Sequence, residues 1–227
     1  MPGDFTLEPR HTCVVGMTGS GKTTFVIRYL LNTGSPESGD APPAAVFIFD
    51  DMNRVWPRLK LRSLYTAADL ESALATRWIC FNHERMFPLV NFEPSRGIPT
   101  PVHAAFRFFC RWVGDVAARG PGRKIVCIPE VWRFCTEDSL PPELALLAQA
   151  GREFGVELVL DTQRPETLNP SLTGQCTELV CFKLASPEAL NEVKKLGADR
   201  DQVEALPMGT FIAYNRLTDE QLRGRVF

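Results

Sequence analysis

Several absences narrow the reading before any motif is considered. The chain has no excess of positive charge: 25 Lys and Arg stand against 27 Asp and Glu, a formal charge of −2 over 227 residues. That excludes a surface that is basic overall, so any contact with nucleic acid has to come from a local patch. The seven cysteines, Cys13, Cys80, Cys110, Cys127, Cys135, Cys176 and Cys181, contain no CxxC pair. Several fall inside apolar, strand-like runs and read as buried thiols of a reducing compartment. No apolar run reaches the roughly 18 residues needed to span a bilayer, and the opening MPGDFTLEPRH lacks the charged-then-apolar order of a signal peptide. The expectation is a cytoplasmic protein with no transmembrane segment. No internal repeat is found.

What is present suits one α/β domain covering 1–227. Hydrophobic residues make up 44% and charged residues 23% of the chain, enough for a buried sheet under an ordinary polar surface. The apolar run from His11 to Val15 leads into glycines, and after Lys22 the pattern turns helical, with Phe25, Val26, Tyr29 and Leu30 on one side. The turn-rich stretch Thr33–Pro43 precedes AAVFIFD, a continuous apolar run of the kind buried on both faces and ending at Asp50.

A short helical pattern follows at Ala67–Ala75, then a strand at Arg77–Asn82 and the loop FEPSRGIPTP. Val102, Phe106, Phe109, Val113 and Val116 recur at helical spacing and predict a helix from Val102 to about Ala118. KIVCI (Lys124–Ile128) is the next strand, Pro141-Pro142 open a helix ending near Gly155, and Val156–Gln163 and Glu178–Leu184 are strands. Ser186-Pro187 cap a helix that Gly197 ends, and the strand GTFIAYN closes the chain. Strands alternating with helices predict a mostly parallel central sheet flanked by helices, with ligands at the C-terminal ends of the strands.

Gly16-Met17-Thr18-Gly19-Ser20-Gly21-Lys22-Thr23 matches G-x-x-x-x-G-K-[ST] between a predicted strand and a predicted helix. Glycines let successive N–H groups turn toward one centre, and the helix N-terminus adds its positive dipole end. Lys22 would reach the β- and γ-phosphates of ATP, and the Thr23 hydroxyl would bind Mg²⁺. A chance match in a chain of this length is on the order of one per cent, so a mere glycine-rich turn is the weaker reading.

Hydrolysis also needs a carboxylate near the γ-phosphate, at a neighbouring strand end. Glu130, in IVCIPEVW, is the water-activating choice because its strand follows the long crossover helix, against the alternative of a surface loop residue beside a structural proline. Asp50 and Asp51 either assist the metal or cap a turn. At the third strand end, DTQRP places Gln163 where a neutral side chain could hydrogen-bond water or the γ-phosphate, although a plain turn into Pro165 accounts for the same residues.

Taken together, GMTGSGKTT, VFIFDD, IVCIPEVWRF, GREFGVELVLDTQRPETLNPSL and LPMGTFIAYN resemble the FtsK–HerA superfamily of DNA-pumping ATPases, in order and over nearly the whole chain. Without an accessory domain, the plan is similar to that of the genome-packaging ATPases of tailless, internal-membrane double-stranded DNA viruses, or a prophage copy. The resemblance implies a RecA-like (ASCE) P-loop NTPase core, a homo-hexameric ring and double-stranded DNA in its pore. It further implies capsid or portal proteins as partners, and the host cytoplasm or a packaging vertex of the virion as the location. It implies that Gly16 to Thr24 hold the ATP phosphates, that Glu130 is the catalytic acid and that Gln163 is the polar sensor. Arg152 becomes an arginine finger for the neighbouring subunit, against the alternative of a helix-end arginine satisfying carbonyls. One departure stands out: the family usually carries Asp-Glu where this chain has Pro129-Glu130. Either Asp50 or Asp51 compensates, or hydrolysis is slow.

For DNA, Arg54, Arg58, Lys60 and Arg62 concentrate four cations around Trp56, and six copies would form a positive ring. A solvated loop with a half-buried Trp56 is the alternative. Arg107 and Arg111 form a weaker second patch. Three other functions stay open: a HerA-like helicase, a nucleotide-gated assembly protein that scarcely hydrolyses ATP, and a small-molecule kinase, for which the arginine-rich lid is not evident.

Overall fold

In the computed structural model of the protein, residues 10–32, 43–52, 54–59, 78–81 and 101–227 are described. The helix expected at Ala67–Ala75, the loop from Phe92 to Thr100, most of the Thr33–Pro43 connection, and Lys60 and Arg62 lie outside them.

Among the described residues, eight strands form one sheet in the order β3-β2-β4-β5-β1-β6-β7-β8. They are β1 (His11–Val15), β2 (Ala45–Phe49), β3 (Trp78–Phe81), β4 (Lys124–Ile128), β5 (Val156–Thr162), β6 (Cys176–Phe182), β7 (Thr210–Asn215) and β8 (Gln221–Arg225). The first six in that order run parallel, β7 pairs antiparallel with β6, and β8 pairs antiparallel with β7. The helices are α1 (Lys22–Asn32), α2 (Trp56–Leu59), α3 (Pro101–Arg119), α4 (Pro142–Ala150), α5 (Pro170–Thr173), α6 (Pro187–Lys195) and α7 (Arg200–Glu204). None of the described helices is long and apolar enough to cross a membrane.

The central strands are mostly apolar because both of their faces are covered. On β4, Val126 and Ile128 join the core beneath α3, α4 and α6, while Ile125 and Cys127 join the core beneath α1. The α3 side is aromatic: Phe106 stacks on Phe134 at 4.4 Å between ring centroids, and Phe49 meets Phe106, Phe109 and Phe134 at 5.2 to 5.3 Å. Each fully buried ring contributes about 1.5–3 kcal/mol of transfer free energy. This is why α3 keeps the apolar spacing that made it legible, and why it packs where it does.

One expectation needs correcting. GTFIAYN does not close the chain: β8 follows it and pairs antiparallel with β7 from Thr210↔Arg225 to Tyr214↔Gln221. Gln221-Leu-Arg-Gly-Arg225 carries no apolar alternation because β8 is an edge strand whose side chains face solvent. Its Gly224 lies under the Phe211 ring, where a Cβ would collide.

Parallel pairing brings the C-terminal ends of β1, β2, β4 and β5 to one sheet edge. Order at that edge is β2, β4, β5, β1, so the segments that follow these strands converge although they lie far apart in sequence.

Candidate functional site

β1 delivers the chain into Gly16–Gly21 and α1 carries it away. The loop is braced on both sides: the Met17 N–H donates to the Lys183 carbonyl (2.9 Å) just past β6, and the Gly209 N–H donates to the Ser20 carbonyl (3.0 Å). Only glycine suits two positions. A Cβ at Gly16 would stand 2.6 Å from the Phe182 Cβ, and at Gly21, whose φ is 113°, 2.7 Å from Val226 Cγ2. The first turn of α1 contains no acidic residue, which leaves its positive dipole end to an outside anion.

Three polar groups of this loop point to a ligand. Lys22 is only 6% exposed, and its Nζ donates to the Gly16 and Met17 carbonyls at 2.7 and 3.2 Å. Burial pulls its pKa down, while the charges of Asp161 and Glu130 hold it up. Ser20 Oγ is buried and has no hydrogen-bond partner among the described residues. The Thr23 hydroxyl, one position into α1, takes no partner among the described residues.

Glu130 follows β4 directly. It is 6% exposed and adopts the left-handed conformation (φ 52°), a strain of about 1–3 kcal/mol that persists only where surrounding contacts enforce it. Those contacts are several. Its N–H donates to Asp161 Oδ1 (3.2 Å), Arg54 Nη1 donates to its Oε1 (2.6 Å) and Trp132 Nε1 to its Oε2 (2.7 Å). Gln163 Nε2 lies 3.3 and 3.5 Å from the same two carboxylate oxygens, and Thr18 Oγ1 donates to Gln163 Oε1 (2.5 Å). Gln163 therefore bridges the glycine loop to the glutamate, and the three strand ends act as one polar constellation.

No family model matches the chain. It is 25% identical over 189 residues to Protein P9 of Pseudoalteromonas phage PM2, across 82% of this chain and 74% of that protein. Its fold is similar to that of the genome-packaging NTPase B204 from Sulfolobus turreted icosahedral virus 2, with a TM-score of 0.68 at 16% identity over 96% of this chain and 98% of that one. VirB4 of Thermoanaerobacter pseudethanolicus superposes with a TM-score of 0.66 at 10% identity, over 96% and 89%. The chain shares the RecA-like P-loop fold of these proteins.

Within this fold the remaining expected residues separate. Asp50 takes the capping role: its Oδ1 accepts from the Arg54 N–H (2.8 Å) and its Oδ2 from the Val55 N–H (2.9 Å), shaping the turn into α2. Asp51 Oδ2 pairs with Arg133 Nη1 at 2.5 Å. Arg152 lies just before β5, at the opposite sheet edge from Lys22, and its Nη2 donates to the Gln175 carbonyl. Arg107 and Arg111 both reach Glu143, the former through two donors. Of the basic run, Arg58 is exposed on α2 and Arg54 is tied to Glu130; the Trp56 side chain, Lys60 and Arg62 are outside the described residues.

One site residue escaped the sequence reading. Asp161, at the end of β5, is 3% exposed and faces the charges of Lys22 and Glu130. Burial pushes its carboxyl up to about 6 against the pull of Lys22. The available signal was an acidic residue inside an otherwise apolar central strand, beside Gln163. Among the described residues no three His, Cys, Asp or Glu side chains form an all-protein metal cage. The oxygen ligands present, a helix-start hydroxyl and a nearby carboxylate, fit a hard cation, and the buried lysine fits the phosphates with which it would arrive.

Proposed function

We propose that this protein hydrolyses ATP to move double-stranded DNA, in the packaging of a viral genome into a capsid, working as a hexameric ring with capsid or portal proteins as partners. The convergence of Lys22, Glu130 and Gln163 at one sheet edge carries the reading. The similarity to B204, described as a DNA-packaging ATPase and also solved with AMP, AMPPCP and ATP-gammaS, supports it.

In this reading Gly16 to Thr24 wrap the phosphates of the substrate ATP with main-chain N–H groups. Lys22 exchanges its two carbonyl acceptors for phosphate oxygens, a charge-assisted bond that a buried ammonium favours. Thr23 would hold Mg²⁺, which when bound neutralises charge developing on the transferred phosphoryl group. Glu130 takes the proton of the attacking water once an oxygen is released from Arg54 or Trp132, and Gln163 aligns that water while sensing the loop through Thr18.

The neighbouring-subunit role of Arg152 exists only in an oligomer, because at the far sheet edge this side chain cannot reach its own Lys22. Sizing in ATP and Mg²⁺ tests for the ring. Arg58 and Arg54, with Lys60 and Arg62, supply cations for DNA phosphates regardless of base sequence.

A second reading rests on two observations: Pro129 at the usual acid position and Glu130 held by Arg54. In that case the protein binds ATP as an assembly switch and scarcely turns it over. Nucleotide binding and ATP turnover, with and without double-stranded DNA, decide between them. For the motor, Lys22→Ala abolishes binding, whereas Glu130→Gln keeps binding and loses turnover by about 10²–10⁴-fold. Tight binding without turnover at any DNA concentration overturns the motor reading.

A further inference from the structure

Phosphoryl-transfer sites of this kind orient the metal with two protein groups, the hydroxyl that follows the loop lysine and a strand-end aspartate. Here the hydroxyl is Thr23, and the usual place of the acid is taken by Pro129, whose ring has no donor atom to offer. The question is which other carboxylate faces the same space.

Strand register answers it. β4 and β5 pair without a shift from Lys124↔Val156 to Ile128↔Leu160, and one step further the same register sets Pro129 beside 161. In-register neighbours on parallel strands point to the same face and stand about 4.8 Å apart. The face is the one under α1, since Cys127 and Val159, two residues earlier on each strand, both join the core that holds Val26 and Leu30. β5 is also the strand next to β1, with Asp161 opposite Val14, two residues before the glycine loop begins. A carboxylate at 161 is therefore displaced by one strand from the usual position, toward the phosphates.

The side chain there behaves as a group awaiting a cation. It is 97% buried, its Oδ1 accepts only the Glu130 N–H, and its other oxygen accepts no hydrogen bond among the described residues. Lys22 is the main cation it faces, with a smaller contribution from Arg54. When Lys22 engages phosphates, Asp161 would keep the Glu130 N–H and the Arg54 charge but lose much of the Lys22 charge, and so little compensation for a buried carboxylate is costly unless another cation takes the place. Asp50 and Asp51 are poorer choices, one spent on the Arg54 and Val55 N–H groups and the other on Arg133.

We propose that Asp161 on β5 supplies the metal-orienting carboxylate that Pro129 on β4 cannot, so that the acid pair of this site is split between two adjacent strands. The proposal rests on the ATPase reading above and adds a residue to it.

The test is linkage between Mg²⁺ and nucleotide, measured by titrating a non-hydrolysable ATP analogue with Mg²⁺ and with EDTA. Asp161→Asn keeps an oxygen for the Glu130 N–H. It is expected to leave Mg²⁺-free affinity unchanged or tighter, since a buried negative charge beside the phosphates is removed, and to remove roughly 10–100-fold of the gain that Mg²⁺ brings. Adding Pro129→Asp to that variant moves the carboxylate back across the strands and should restore most of the gain, which a merely structural role would not do. An unchanged Mg²⁺ gain in Asp161→Asn overturns the proposal while leaving the phosphate-loop reading intact. If instead Lys22→Ala binds the analogue normally, the underlying reading is what fails. Should Asp161→Asn not fold, the unmodified chain still decides: Fe²⁺ with ascorbate and the nucleotide should cut the backbone near 161 and near 23, with Mg²⁺ protecting both. Cleavage near 23 alone overturns the proposal.

Discussion

Acidifying the solution from pH 7.5 to 4.5 should weaken the fold through one side chain at the root of the phosphate-loop strand. His11 is fully buried at the start of β1. Its Nδ1 accepts the Leu158 N–H of β5 at 3.0 Å, which places the ring proton on Nε2, where it donates to the Ala148 carbonyl at the end of α4 (3.0 Å). A second proton would have to enter at Nδ1, against that N–H donor. Burial, with help from the nearby Arg152 charge and against the Ala148 bond, lowers the pKa from 6.5 to about 4. The unfolded chain therefore takes up the proton first. Stability from this group is fully present above pH 6.5 and is lost as pH falls from there through 4. At about 1.36 kcal/mol per pH unit the ceiling is roughly 3.4 kcal/mol, and at pH 4.5 about 2.5 kcal/mol of it is gone. Urea unfolding of the wild type and His11→Asn at both pH values isolates this contribution, since carboxylates common to both chains cancel. The wild-type advantage at pH 7.5 should shrink by about 2.5 kcal/mol at pH 4.5. A change below about 1 kcal/mol would refute the buried neutral imidazole and the strand–helix tie built on it.

Two further outcomes follow from the site. Gly21→Ala combines a left-handed backbone with a Cβ pressed on Val226, so it should cost about 1–3 kcal/mol in urea unfolding and weaken nucleotide binding in titrations; an unaltered protein would show the loop to be slack. Arg54→Ala removes the 2.6 Å clamp on Glu130: DNA-free ATP turnover should rise and stimulation by double-stranded DNA should fall, because one residue serves both. A variant with lower basal turnover and undiminished stimulation would place Arg54 outside that coupling.

The parts of the molecule that local sequence specifies were readable in advance. The glycine loop between a strand and a helix depends on residues within eight positions of one another, and so do the Ser186 cap, whose Oγ accepts the Ala189 N–H, and the 3- and 4-residue spacing of α3. The runs that became β1, β2, β4 and β5 were legible because burial on both faces keeps them mostly apolar, with few polar positions. β8 was not legible, because an edge strand is held by main-chain pairing and needs no apolar pattern.

Within the site the division is the same. Glu130 and Gln163 announced themselves as polar residues at the ends of apolar runs, but their 3.3 Å approach required β4 and β5 to be neighbours. The engagement of Arg54 with Glu130, the use of Asp50 as a turn cap, the placement of Arg152 at the far edge and the position of Asp161 beside Pro129 all depend on strand order and register. Those are set by non-local pairing across the sheet, where a one-residue shift would turn Asp161 to the other face. Composition and local spacing determined that this chain is an α/β protein with a phosphate loop; which carboxylates face that loop was decided only when the sheet closed around it.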